Sequence, residues 1–324
     1  MYNKSVMSKQ VIQVQNLKKS YPLPKGKGKF EAVKGISFEV MNGEIFGILG
    51  PNGAGKTTTL EIMESLKQQS AGKVEVLGFD NLSKGEEIKK RIGVQLQSSE
   101  YFPLLTLGEL LDLFTSLYGR KADRKKLLSL VGLEEKEHEQ VKNLSGGQKQ
   151  RFTIATSLVN EPAIIFLDEP TTGLDPSARR KMWKLIKQIN ESGITIVITT
   201  HYMEEAEYLC NRVAILDEGK ILKIDEPKKL IENLSDTTQV SFLVNEAIDK
   251  KIFSGLPSIE KIYDKPPKII LEISSLDHIS KIMSALKQNK VEFSGFTLKT
   301  ASLEDVYLDL TGHEFEQTNG NPHA

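Results

Sequence analysis

A single cysteine, Cys210, occurs in the whole chain. One thiol cannot close an internal disulfide, so the fold must rest on an apolar core. The count fits a reducing compartment, where a lone cysteine reads as a small packed hydrophobe. Long apolar runs are also missing. Those at 45–49, 164–167 and 194–198 fall far short of the roughly 20 residues needed to cross a bilayer. There is no net charge, with 43 Lys plus Arg against 43 Asp plus Glu. No long-range field favours nucleic acid or an anionic membrane, and no nucleic-acid partner is expected. Basic clusters such as Lys18-Lys19, Lys89-Lys90-Arg91 and Arg124-Lys125-Lys126 read as solvated faces. The first residues lead into 10–14 without an apolar stretch or a small-residue cleavage site, so no signal peptide is expected.

What is present is an ordinary core, 39% hydrophobic over 324 residues, enough for one large α/β domain or two domains. β-Branched stretches at 11–14 and 36–40, split by the Pro-, Gly- and Lys-rich segment 22–29, read as strands joined by a basic loop. From Ile45 onward apolar strands alternate with helical patterns, Leu107, Leu110, Leu111, Phe114 and Leu117 among them, which implies a largely parallel sheet. After Pro227 the pattern changes to strand 239–244, helix 247–256, two strands flanking Pro266-Pro267, helix 276–289, strand 291–300 and a closing helix 303–310. A βαββαβ order predicts a small ferredoxin-like α+β appendage. The expected division is 1–234, 235–312 and a polar, frayed tail 313–324.

The chemistry centres on Gly50-Pro51-Asn52-Gly53-Ala54-Gly55-Lys56-Thr57, which follows the strand 45–49 and opens a helix-compatible run at Thr58. Spacing and context match a phosphate-binding loop. Its glycines let backbone N–H groups curl around a phosphate, and the helix start adds partial positive charge. Lys56 is expected to bridge the β- and γ-phosphates and Thr57 to help hold Mg²⁺. The strand 163–167 ends in Asp168-Glu169, where Asp168 is expected to ligate Mg²⁺ and Glu169 to orient and deprotonate water. Alone, an acidic pair at a strand end is weak; behind a phosphate loop it is strong. Between the two lies Leu144-Ser145-Gly146-Gly147-Gln148. Ser145 reads as a helix N-cap, and the segment is either an ordinary turn or a second anion site. No Asn-Lys-x-Asp sequence occurs, which argues against a GTPase.

Leu144 to Gln148 resembles the signature motif of ABC ATPases. The order of phosphate loop, signature, Asp-Glu strand end and a histidine after the next strand is that family's order, and the resemblance covers residues 10 to about 230. It implies an α/β P-loop NTPase domain with a RecA-like core, an antiparallel β subdomain and a helical signature subdomain. It also implies a head-to-tail pair in which Ser145, Gly146, Gly147 and Gln148 of one copy contact the γ-phosphate of ATP held by Gly50 to Thr58 of the other. Gln97, with Gln95 as a neighbouring alternative, resembles the glutamine-loop residue that senses Mg²⁺ and water, since it stands five residues after Ile92. His201 resembles the switch histidine. Gly173-Leu174-Asp175 resembles the loop that crosses the dimer interface, and Tyr21, with Phe30 as alternative, the aromatic that stacks on adenine.

The segments 105–119 and 301–312, the latter containing Ser302-Leu303-Glu304-Asp305-Val306, resemble the drug- and peptide-exporting branch with type-2 permeases. The resemblance implies an ATP-hydrolysing export subunit, cytoplasmic and peripheral on the inner face of the membrane, driving a separate permease that carries most of the cargo selectivity. A rival is a non-transport ABC-type mechanical switch, yet neither a second cassette nor a long coiled coil is seen. A kinase would share the loop but has no use for the signature.

Overall fold

The computed structural model describes residues 9–24, 28–95, 101–121, 123–234, 238–245, 248, 250–253, 256, 259–265, 267–274, 279–299 and 301–313. The chain divides into two compact units, Met1–Pro227 and Lys228–Phe315. The boundary expected at 235 falls just beyond the short helix that follows Glu226.

The first unit opens with β1 (Gln10–Pro22), β2 (Lys29–Met41) and β3 (Ile45–Leu49), followed by α1 (Lys56–Met63), β4 (Ala71–Val76), β5 (Phe79–Asp80), α2 (Gly85–Lys89) and β6 (Ile92–Gln95). Three helices come next: α3 (Leu107–Leu117), α4 (Arg124–Leu130) and α5 (Gly146–Ser157). Then β7 (Ile164–Asp168), α6 (Pro176–Glu191), β8 (Thr195–Thr200), α7 (Met203–Leu209), β9 (Arg212–Asp217) and β10 (Lys220–Asp225) complete it, with α8 (Pro227–Glu232) at the boundary.

Two sheets share one core. One is antiparallel, ordered β2-β1-β4-β5; the other is six-stranded, ordered β10-β9-β3-β8-β7-β6, and parallel except for β10. β3, β7 and β8 are buried at every position, which is why they read as unbroken apolar runs. β1 and β2 are longer than the sequence suggests, because register shifts let them bend rather than stop. Between Val14 and Leu17 the shift places Asn16 at φ 47, a left-handed turn Asn tolerates, and its N–H donates to Ser37 Oγ at 2.8 Å. Ile12, Val14, Val33 and Phe38 of the antiparallel sheet pack with Phe46, Ile48, Phe166 and Val197 of the other, and the Phe38 and Phe46 rings stack at 5.3 Å. The sheets are thereby locked face to face.

Local signals set the helix starts. Thr106 with Glu109 and Ser145 with Gln148 form capping boxes before α3 and α5, Asp123 caps α4, and Asp175 with Pro176 opens α6. Among the described residues no helix is long and apolar enough to cross a membrane.

The second unit contains β11 (Thr238–Val244), β12 (Ile259–Lys265), β13 (Lys268–Ile273), α9 (Ile279–Gln288), β14 (Phe293–Lys299) and α10 (Leu303–Thr311). Its strand order β12-β13-β11-β14, antiparallel throughout, is ferredoxin-like connectivity. The helix expected at 247–256 is instead a single 3-10 turn, Lys250–Phe253, among its described residues. Val240, Phe242, Leu271, Ile282 and Leu286 form a separate core. The tail 314–324 lies outside the described residues.

Candidate active site

The carboxyl ends of the adjacent strands β3, β8 and β7 point to one place, which is where open α/β sheets bind ligands. From β3 the chain passes through Gly50 to Gly55 into α1. Gly50 is obligatory in this position, since a Cβ there would sit 2.1 Å from Leu216 O. Gly53 and Gly55 take φ of +85° and +99°, open to glycine at no steric cost, and Gly55 also leaves no room beside Ala32 O. Ala54 N–H donates to Pro51 O at 3.2 Å, and Thr59 Oγ1 donates to Gly55 O at 2.8 Å, tying the loop to the helix. The loop is thus curled in advance with its helix N-terminus facing the site.

Lys56 is buried, and its Nζ donates to Gly50 O at 2.9 Å and Pro51 O at 3.1 Å and pairs with Glu169 Oε1 at 3.2 Å. Burial lowers its pKa, and the Glu169 carboxylate opposes that shift. Glu169 follows the last residue of β7 at φ 47. Its Oε2 accepts from Thr172 Oγ1 at 3.1 Å and lies 3.1 Å from His201 Nδ1. Burial pushes the carboxyl up, but the His201 imidazole and the Lys56 ammonium outweigh it and hold Glu169 at about 2. Its neighbour Asp168 moves the other way: burial raises its pKa, only partly offset by hydrogen bonds from Thr199 and Thr57. Two adjacent carboxyls are therefore pushed in opposite directions.

Thr57 Oγ1 donates to Asp168 Oδ1 at 3.3 Å. This pair of hard oxygen donors at the mouth of the phosphate loop fits Mg²⁺, which takes one or two protein oxygens and completes its shell with water and phosphate. Among the described residues no cluster of three or more His, Cys, Asp or Glu offers an all-protein metal cage. Thr58 is half-buried one residue on, and its Oγ1 lies 3.4 Å from Tyr21 Oη. Tyr21 therefore reaches the phosphate-loop helix from β1. Phe30 is its cross-strand partner and is 52% exposed, so both candidate aromatics lie side by side.

The structure thus brings Tyr21, Lys56 to Thr58, Asp168, Glu169 and His201 together. Pro51 and Asn52 form the outer rim of the loop. Ser145 to Gln148 stand apart at the start of α5: Ser145 Oγ accepts from Gln148 N–H at 3.3 Å, while Gln148 Oε1 accepts from Ser145 N–H at 2.9 Å. Asp175 is exposed and accepts from Ser177 N–H and Ala178 N–H at 2.8 and 3.0 Å; these bonds lower its pKa. Gln97 lies outside the described residues, whereas Gln95 is buried in β6. Tyr101 packs edge-on against Phe152 and Phe114, and Phe102 beside it is 63% exposed.

Three residues were not anticipated. Thr199 Oγ1 accepts from Glu169 N–H at 3.0 Å and donates to Asp168 Oδ1, so one hydroxyl sets both acids. Gln150 Nε2 donates to Pro170 O at 2.9 Å, tying the signature helix to the segment after Glu169. Glu205 is fully buried, accepting from Thr171 Oγ1 and Trp183 Nε1, both at 2.8 Å. The available signal was hydroxyls, Thr199 and Thr200, ending an otherwise apolar buried strand.

A family model for ABC transporters matches residues 33–172. The chain is 33% identical over 313 residues to the linearmycin resistance ATP-binding protein LnrL of Bacillus subtilis (strain 168), covering 93% of this chain and 98% of that relative. It is 41% identical over 317 residues to the Nod factor export ATP-binding protein I of Burkholderia orbicola (strain AU 1054), covering 96% and 100%. The dimeric structure of MJ0796, a bacterial ABC transporter cassette, superimposes with a TM-score of 0.60 at 31% identity over 66% of this chain and 98% of that one. The same cassette in a dimeric post-hydrolysis state bound to ADP and Pi matches at the same TM-score, 0.60. Relatives that match nearly end to end, and a solved cassette of the same fold, leave one assignment: the chain belongs to the ABC transporter family, as one of its Mg²⁺-dependent ATP-hydrolysing subunits.

Proposed function

We propose that this chain is the ATP-hydrolysing subunit of an export-type ABC transporter, works as a head-to-tail pair, and drives a separate membrane permease from the inner face of the membrane. The observation that carries the reading is the junction of Lys56, Asp168, Glu169 and His201 at the phosphate loop, with contacts of 3.1–3.3 Å linking Glu169 to Lys56 and His201 and Asp168 to Thr57. Gly50 to Thr58 bind the phosphates, with Lys56 turning to the β- and γ-oxygens. Tyr21 supplies a stacking face for adenine. Thr57, Asp168 and Gln97 hold Mg²⁺, which when bound neutralises the charge developing on the phosphates. Glu169 accepts a proton from the attacking water, and His201, beside it, contacts the γ-phosphate.

Pairing is supported by Gly146. A Cβ added there would meet nothing within 4 Å among the described residues. A glycine in a first helical turn costs stability and is not required by this chain's own packing. Space kept clear beside the first-turn N–H groups of α5 suits an anion carried by a second copy, held by Ser145 to Gln148. Asp175, already capping α6, then faces the partner as part of the interface loop. The second unit serves as an accessory domain. The transported compound is a drug, peptide or lipid-like substrate leaving the cell, a reading supported in its direction by relatives named for Nod factor export and linearmycin resistance.

Glu169→Gln tests this. The variant retains ATP, loses turnover, and becomes a dimer with Mg-ATP in light scattering. Normal hydrolysis by this variant, or a strictly monomeric Mg-ATP form, refutes the assignment.

A further inference from the structure

Glu169 sits at φ 47, a left-handed conformation that is costly for any residue but glycine and persists only where the surroundings enforce it. Three anchors enforce it. Thr199 accepts the Glu169 N–H at its Oγ1 and its carbonyl, 3.0 and 3.2 Å away. Gln150 Nε2 donates to Pro170 O at 2.9 Å, and Thr171 Oγ1 donates to Glu205 Oε1 at 2.8 Å. That same oxygen of Glu205 accepts from Trp183 Nε1 at 2.8 Å, so one carboxylate on α7 joins α6 to the segment after β7. Thr172, next in sequence, donates its N–H to Glu169 O at 3.2 Å and its hydroxyl to Glu169 Oε2 at 3.1 Å. Glu205 thus fixes Thr171, and the adjoining Thr172 fixes both the carbonyl and the carboxylate of Glu169.

Glu205 and Thr171 are both fully buried. Burial raises the Glu205 pKa, opposed in part by its hydroxyl and indole donors. Apolar side chains of similar size would stabilise such a place at least as well. What they could not supply is a single acceptor that fixes two donors from different elements in one geometry. The same seam between α6 and α7 also bears on the other neighbour of Glu169. The Arg179 guanidinium lies over the Tyr202 ring at 4.0 Å, and that ring lies 4.1 Å from the ring of His201. Resting on the role of Glu169 proposed above, we propose that Glu205 is a positioning residue for hydrolysis: through Thr171 it holds the segment after β7 so that Glu169 keeps its strained backbone and its carboxylate stays between Lys56 and His201. It acts through Thr171 and Thr172, and is not itself a catalytic residue.

The full chain, purified with its permease, is assayed for hydrolysis over a range of Mg-ATP. Thr171→Val keeps the shape and deletes the donor; it should lower kcat about tenfold with KM for ATP changed less than about twofold, and Thr171→Ser should restore kcat. Glu205→Gln, which keeps the accepting oxygen, should retain most of kcat, whereas Glu205→Ala should lose about as much as Thr171→Val. Thr171→Val and Glu205→Ala combined should lose no more than either alone, because both break one link. Trp183 is the only tryptophan of the chain, so its emission reports the seam; it should shift in Glu205→Ala and stay fixed in Thr171→Val. Full activity in Thr171→Val, equal loss in Thr171→Val and Thr171→Ser, or a Trp183 shift in Thr171→Val as large as in Glu205→Ala overturns the inference, while an inactive Glu169→Gln in the same assay leaves the base assignment standing. Normal hydrolysis by Glu169→Gln overturns both. Should Glu205→Ala fail to fold, the two variants at Thr171 decide through kcat alone.

Discussion

Glu64 makes the isolated chain pH-sensitive in a direction that can be worked out. Its carboxyl shifts from an ordinary 4.5 to about 8 in the folded chain. Between those values the folded state holds a proton that the unfolded state has lost, so stability falls as pH rises through the window. At pH 7 the loss spans 4.5 to 7, about 3.5 kcal/mol at ~1.4 kcal/mol per unit, and solvent screening reduces this to roughly half. Below pH 5 it nearly vanishes. Glu64→Gln keeps the shape and removes the charge. It should therefore raise the melting temperature of the first unit by roughly 3–6 °C at pH 7–8, and hardly at all at pH 4.5. Differential scanning calorimetry across pH 4.5 to 8 measures this directly. A gain that is the same at both ends, or a loss at pH 8, would mean that the carboxylate is already compensated within the chain. The argument from an unpaired acid would then fail.

Lys56→Ala should lower nucleotide affinity by about a hundredfold in calorimetry, because the loop loses its only side-chain cation while keeping its backbone cradle. Gly50→Ala drives a methyl into Leu216 O at 2.1 Å, so it should cost several kcal/mol of stability, about 3 or more, or abolish folding. Gly146→Ala meets nothing within 4 Å and should leave the monomer's melting unchanged or raised, yet impair ATP-driven dimerisation in light scattering. Thr199→Val removes the hydroxyl shared by Asp168 and Glu169 and acts through those acids. It should reduce kcat roughly tenfold with KM for ATP little altered, while Thr199→Ser restores activity; equal loss in both variants would argue for a packing role alone.

Where a residue type is forced by local geometry, the sequence was readable. The phosphate loop needs its glycines at fixed spacing, Ser145 needs Gln148 three residues on to close a capping box, and strands buried on both faces must be continuously apolar. The ferredoxin-like strand order was likewise legible from element succession, because short connections leave few ways to pair four strands. The first helix of that unit was not. Its residues suggested a helix over 247–256, but among the described ones Lys250–Phe253 forms a 3-10 turn that still sets Ile252 and Phe253 against the core, so the apolar residues reported burial and not the helix type. Thr199, Gln150 and Glu205 were invisible for another reason. Each acts through a residue distant in sequence, Thr199 upon Asp168 and Glu169, Gln150 upon Pro170, Glu205 upon Trp183, and no spacing rule registers such pairs. The same is true of Glu64, buried at the end of α1 with neither carboxylate oxygen hydrogen-bonded among the described residues.

The resting arrangement also explains why the phosphate itself should arm the site. Lys56 is held by Gly50 O, Pro51 O and Glu169, and with His201 it keeps the Glu169 carboxyl at about 2. A carboxylate that acidic is a poor proton acceptor. Phosphate oxygens offer Lys56 a stronger anion than one carboxylate, so nucleotide entry is expected to draw the ammonium away and strip Glu169 of that counter-charge. Its basicity must then rise, in the presence of the very group that needs a base. Hydrolysis in the absence of correctly seated phosphates is disfavoured by the same pairing, and in the proposed head-to-tail pair the second copy's α5 N-terminus would add positive field only on closure.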